Sequence, residues 1–165
     1  MPPRLPEGRG SGAGAGRRNA RAANAAKRFL RATEGTLDRV EVHVIGPVRN
    51  AASIEKAVGF PMTGFVIVLE NGTARHTLLR HGNPSTEAKR GQLAVTLDDL
   101  ALVPQLLGEF DTVEPADPTK QGTMQARFRK RIGTVDYEVF AEVRTAAEQL
   151  VFKTMLKRRA EEASS

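Results

Sequence analysis

Residues 124–143 read MQARFRKRIGTVDYEVFAEV. Met124, Ala126, Phe128, Lys130 and Ile132 alternate with Gln125, Arg127, Arg129 and Arg131. After Gly133-Thr134 the alternation resumes as Val135, Tyr137, Val139, Ala141 and Val143. A period of two sends alternate side chains to opposite faces of a strand. Two such runs joined by a two-residue turn containing glycine predict a β-hairpin. A third run, after a longer turn over 144–149, puts Leu150, Phe152, Thr154 and Leu156 on one face. Together they predict an antiparallel meander.

The meander fixes an expected register. With Ile132 opposite Val135, Lys130 faces Tyr137 and Phe128 faces Val139. With Val143 opposite Leu150, Val139 faces Thr154 and Tyr137 faces Leu156. Lys130, Tyr137 and Thr154 then share one apolar face in adjacent rows. A lysine there either snorkels to the rim or works in a partly desolvated site. The other face pairs Arg131 with Asp136 and Arg129 with Glu138, ordinary ion pairs of a solvated surface.

Helical signals precede the sheet. Val40, Val42 and Val44 alternate as a strand ending at Gly46-Pro47, and 50–58 reads as a short helix capped by Asn50 and ended by Gly59. Phe65–Leu69 is a continuous apolar run of buried-strand length. Residues 74–82, ARHTLLRHG, favour a helix after it, capped by Asn71 or Thr73, with Gly82 as its left-handed terminator. Residues 83–93 read as a polar loop. Thr96 and Asp99 form a capping box for a helix carrying Leu100, Val103 and Leu107, which Pro104 bends or splits. Helices followed by a meander give an α+β fold, with the helices packed on a C-terminal antiparallel sheet.

The charge is unevenly spread. The chain of 165 residues carries 25 Lys+Arg and 19 Asp+Glu, a net +6. Residues 1–31 hold eight basic residues and only Glu7 as an acid, a net +7, so the rest is near neutral at −1. Pro2, Pro3, Pro6 and the glycines of 8–16 read as a flexible arm, and 17–32 as an Ala-rich helix. The expected organisation is a basic arm over 1–35, disordered or helical, one domain over 36–158 and a tail over 159–165. The arm either solubilises the chain or docks on nucleic acid or a larger assembly.

Composition excludes several chemistries. There is no cysteine, hence no disulfide, thiol catalysis or zinc knuckle, and there are three histidines, His43, His76 and His81. No HExxH, phosphate-binding loop, GxSxG elbow or dinucleotide fingerprint occurs. Asp98 and Asp99 belong to a capped first turn, which accounts for them without a metal. No membrane-length apolar run or secretory signal is present, so an intracellular location is expected. His76 and Arg80, four apart, share a helix face, whereas His81 sits at the helix end, where the dipole favours imidazolium.

In order, HTLLRHG (76–82), EAKRGQ (87–92), TLDDLALVPQLL (96–107), the RFRKRI–YEVFAEV hairpin and FKTMLKR (152–158) resemble the phage-associated branch of the barnase–EndoU–colicin–RelE-like nucleases over roughly residues 63–158. The resemblance implies helices packed on a four-stranded antiparallel sheet. It also implies a metal-independent endoribonuclease without cofactors, carried by a phage or mobile element as a toxin or effector. It points to His76, His81 and Thr154 as catalytic and to Arg90 and Gln92 as substrate-binding. The register adds Lys130 to the first group and Tyr137 to the second, and helix spacing adds Arg80. Such an enzyme takes RNA, tRNA or another structured RNA included. Its partners would be phage structural proteins or an immunity protein, in the cytoplasm or with the virion. Two rival readings stand beside it, a non-catalytic nucleic-acid-binding module and a virion-associated structural adaptor.

Overall fold

The computed structural model describes residues 9–36 and 38–161. In chain order the elements are α1 (Arg9–Ala32), β1 (Val42–Pro47), α2 (Ala51–Val58), β2 (Val66–Glu70), α3 (Asn71–His81) and α4 (Pro84–Lys89). There follow α5 (Leu97–Leu100), α6 (Val103–Gly108), β3 (Thr112–Ala116), β4 (Gln125–Ile132), β5 (Val135–Arg144) and β6 (Gln149–Arg159). The strands form one sheet in the order β1-β2-β6-β5-β4-β3. The α+β class and the meander β4–β5–β6 are as expected. The sheet has six strands rather than four, however, and β2 runs parallel to β6.

One face of the sheet carries the core. Phe128, Val139, Ala141, Leu150, Phe152 and Met155 are buried together with Ile54 of α2, Ala74 of α3, Leu100 of α5 and Leu106 of α6. Helix α1 joins them through Ala26 and Leu30, so the Ala-rich helix lies on the body. It runs back to Arg9, through residues that composition placed in a flexible arm; residues 1–8 of that arm lie outside the described residues. Burying one leucine side chain stabilises by about 1.5–3 kcal/mol. The exposed Lys27–Asp98 ion pair adds about 0–1 kcal/mol, so apolar contact holds α1. Among the described residues no helix is long and apolar enough to cross a membrane.

Several local expectations are corrected. Asn50 lies in the left-handed region and makes no side-chain cap; its amide instead donates to the Gly108 carbonyl at 2.9 Å. Asn71 does not cap α3 either. Its side chain accepts from the Glu41 N–H at 2.9 Å and donates to the Thr36 and Arg39 carbonyls, tying the entry of β1 to the start of α3. The 83–93 loop contains α4, with Asn83 accepting from the N–H groups of Ser85 and Thr86 and Pro84 opening the helix. The Thr96–Asp99 capping box is present, and the helix divides into α5 and α6 beside Pro104.

Gly82 ends α3 with φ −94°, not in the left-handed region. Glycine is required for closeness: a Cβ there would meet the Leu78 carbonyl oxygen at 2.2 Å. Gly82→Ala is therefore expected to destabilise the fold by about 1–3 kcal/mol in urea titration.

The hairpin register is the expected one, with Lys130 opposite Tyr137 and Phe128 opposite Val139. The β5–β6 register starts as expected at Val143 opposite Leu150, then shifts between Phe140 and Ala141. Ala141 pairs with Phe152, but Phe140 pairs with Thr154, which leaves Lys153 as the extra residue of a bulge. A one-residue shift exchanges faces. Thr154 thus leaves the Lys130–Tyr137 face and sits beside Phe140. Met155 comes opposite Val139, and Lys157, not Leu156, comes opposite Tyr137.

Candidate active site

The end of α3, the helix α4 and the segment after it assemble one cluster. His81 Nδ1 lies 3.4 and 3.3 Å from the two carboxylate oxygens of Glu87. Glu87 is fully buried, and Arg90 Nη1 lies 3.4 Å from its Oε1. The chain folds tightly here because the Arg90 and Gln92 N–H groups both donate to the Glu87 carbonyl, at 3.0 and 2.8 Å. Gln92 Oε1 is buried without a hydrogen-bond partner among the described residues. With Glu87 as carboxylate, the imidazole donates Nδ1–H to it, which fixes the tautomer and leaves Nε2 for proton transfer.

Three of the expected residues, His81, Arg90 and Gln92, therefore come together, and Glu87 joins them. Its sequence signal is Asn83-Pro84 followed by Glu87, a cap and a first-turn proline opening a helix inside an apparent loop. His76 and Arg80 are exposed on α3, away from its buried residues Asn71, Ala74 and Thr77.

A second cluster lies under the expected lysine–tyrosine pair. The Tyr137 hydroxyl donates to Asp99 Oδ1 at 2.8 Å, and Lys157 Nζ donates to Asp99 Oδ2 at 2.9 Å. The Thr96 N–H and hydroxyl also donate to Oδ2, at 2.9 and 3.0 Å. Burial alone raises the Asp99 carboxyl. Hydrogen bonds from the Thr96 backbone, Lys157, Tyr137 and the Thr96 hydroxyl outweigh it and hold the group below the usual carboxylate range. Burial, the hydrogen bond to Asp99 and the Asp99 charge all push the Tyr137 phenol up. The phenol stays protonated at neutral pH and its hydroxyl is committed to Asp99, a tie between helix and sheet. Asp99 has a structural task beyond capping, and Lys157 occupies the row expected for Leu156.

The segment between the clusters joins them. The Val95 N–H donates to the His81 carbonyl and the Leu93 N–H to the Lys157 carbonyl, both at 2.7 Å. Lys130 is less tied: its ammonium stands 3.7 Å from Asp111 Oδ1, with 18% of the side chain exposed. With Tyr137, Arg129, Arg131 and Arg158 it lines a groove of ≈590 Å³ at the hairpin end of the sheet. Four cations face three acids there, Asp111, Asp136 and Glu138. Such a lining favours contact with individual phosphates over a general polyanion grip. Within that lining the expected surface ion pairs form, Arg131 Nε with Asp136 at 2.7 Å and Arg129 Nε with Glu138 at 3.8 Å. Among the described residues no three His, Asp or Glu side chains cluster as metal ligands.

No curated protein and no solved structure matches the chain. Residues 44–164 match the family described as phage-Barnase-EndoU-ColicinE5/D-RelE like nuclease3. That span begins in β1, upstream of the stretch that carried the resemblance. It covers most of the chain, the whole of β2 to β6 and β1 from Val44 onward. The protein belongs to this phage-associated nuclease family.

Proposed function

We propose that the protein is an endoribonuclease, carried by a phage or mobile element as a toxin or effector, that cleaves RNA by metal-independent acid/base transphosphorylation. Membership of a nuclease family supplies the reaction class. The observation that carries the finer reading is the half-buried His81 held by the buried Glu87 beside Arg90. RNA cleavage without metal needs a group to take the 2′-OH proton, a group to protonate the departing 5′-oxygen, and cations on the phosphorane-like transition state. His81 Nε2 serves proton transfer. Glu87 positions the ring. Arg90 supplies charge for the phosphate beside His81, Lys130 offers a separate cation in the groove at the hairpin end of the sheet, and His76 and Arg80 lie exposed on α3.

The test is incubation of the full chain with end-labelled RNAs, tRNA included, in EDTA, beside matched strands with 2′-deoxyribose throughout. Cleavage of the RNAs and not of the deoxy strands is expected, because only ribose carries the nucleophile. Cleavage of both strands, or cleavage abolished by EDTA, contradicts the mechanism. Binding without cleavage over the whole panel would transfer the reading to a non-catalytic nucleic-acid module.

A further inference from the structure

The two edges of the sheet are built differently. At one edge, β3 presents Glu114 and Pro115, and Glu114 is held by Arg127 Nε at 3.0 Å. A charge and a missing N–H are standard protection against edge-to-edge pairing. At the other edge lies β1, and its N-terminal half with the residues leading into it (40–44) carries the exposed Arg39–Glu41 ion pair at 2.8 Å but no proline before Pro47. Val40, Val42 and Val44 are 68%, 47% and 54% exposed, three of the four large apolar residues exposed among the described ones.

The backbone of this half faces outward. The Asn71 N–H donates to the Glu41 carbonyl at 3.1 Å, so Glu41 and, two residues on, His43 direct their backbone groups toward β2. The N–H and C=O groups of Val42 and Val44 therefore point to the free edge. The edge is closed off further along, where the register shifts between Val44 and Gly46 and Pro47 follows.

We propose that β1 is a self-association edge, on which a second copy of this chain adds its own β1 antiparallel about a two-fold axis at Val42. In this register Val42 faces Val42 of the partner subunit and Val40 faces Val44 of the partner subunit. Glu41 faces His43 of the partner subunit, so a carboxylate meets an imidazole on both sides of the axis. The neighbouring registers that use the same backbone groups match less well. One sets Glu41 against Glu41 of the partner subunit; the other sets His43 against His43 of the partner subunit and leaves Glu41 opposite an isoleucine. The contact is isologous and closes on itself. The bulge and Pro47 stop it from lengthening, so it yields dimers, small in area and dependent on concentration.

Sedimentation equilibrium of the full chain over about 5–500 µM tests this. The expected result is a rise from the monomer mass toward twice that mass. Val42→Lys sets two ammonium groups across the axis and should weaken association at least tenfold, with circular dichroism and thermal midpoint unchanged because Val42 is half-exposed. Leu79→Lys, on the exposed side of α3, should leave association as it was. The chain has no cysteine, so Val42→Cys carries a sole thiol, which should cross-link under oxidant at least tenfold faster than Leu79→Cys. A monomer at every concentration, a dimer that Val42→Lys leaves intact, or equal cross-linking of the two cysteine variants overturns the proposal.

Discussion

His81→Ala is expected to lower the turnover of RNA cleavage by about 10²–10⁴-fold, the usual contribution of a positioned acid or base. That corresponds to roughly 3–5 kcal/mol of barrier. The fold should survive, because the tie to Val95 uses the His81 backbone carbonyl and not the ring. His76→Ala should stay within a few-fold of the parent, since His76 is exposed and α3 buries other residues. Glu87→Gln keeps the shape but cannot hold the imidazole as a carboxylate does; about a 10–100-fold loss is expected, in line with other partners that orient histidines. The contrast between the two histidines decides the assignment. Loss of activity in His76→Ala with activity retained in His81→Ala would reverse it.

The largest effect on stability is expected at Asp99. Asp99→Ala removes the acceptor shared by Lys157, Tyr137 and Thr96 and leaves a half-buried ammonium without its partner. Breaking a buried pair from one side costs about 3–5 kcal/mol, whereas Tyr137→Phe removes one hydrogen bond and costs about 1 kcal/mol. Urea unfolding of both variants checks the order. The pH dependence follows from the Asp99 carboxyl being held below its unfolded value. Its stabilising contribution is complete above about pH 4, the unfolded value, and is lost as the pH falls through the folded value. Asp99→Asn should therefore differ most from the parent above about pH 4, with the gap closing in acid. A gap that widens in acid would contradict the hydrogen-bonded carboxylate.

Legibility in the sequence followed the length of each periodic pattern. The β4–β5 hairpin alternates without interruption around Gly133, which turns at φ +60°, and its register could be read directly. The β6 run could not, because its alternation breaks. Phe152 and Met155 are both fully buried and stand three apart, not two, so one residue must bulge. That spacing is the only local trace of the shift that brings Lys157 beneath Tyr137 and turns Thr154 away. The parallel pairing of β2 with β6 leaves no turn signature, since the strands are far apart in the chain. Its mark is the unbroken apolar run 65–69, with Ile67, Val68 and Leu69 all buried, as in a strand covered on both faces.

The candidate site was legible in part for a similar reason. His81 and Arg90 lie on separate elements, and what joins them is Glu87 on a helix of six residues, too short to show a period. Asp99 was legible as a cap, because capping is local. Its tertiary role was not, because Lys157 is 58 residues away. The net +6 of the chain marks α1 and the residues before it, not the groove.

The central claim, metal-free transphosphorylation of RNA, is tested most directly by the chemistry of the cut ends. RNA cleaved by the full chain in EDTA should carry 2′,3′-cyclic phosphate on one side of the break and a free 5′-hydroxyl on the other. A 5′-phosphate facing a 3′-hydroxyl would show that water, not the neighbouring 2′-oxygen, attacked the phosphorus, and would contradict the account.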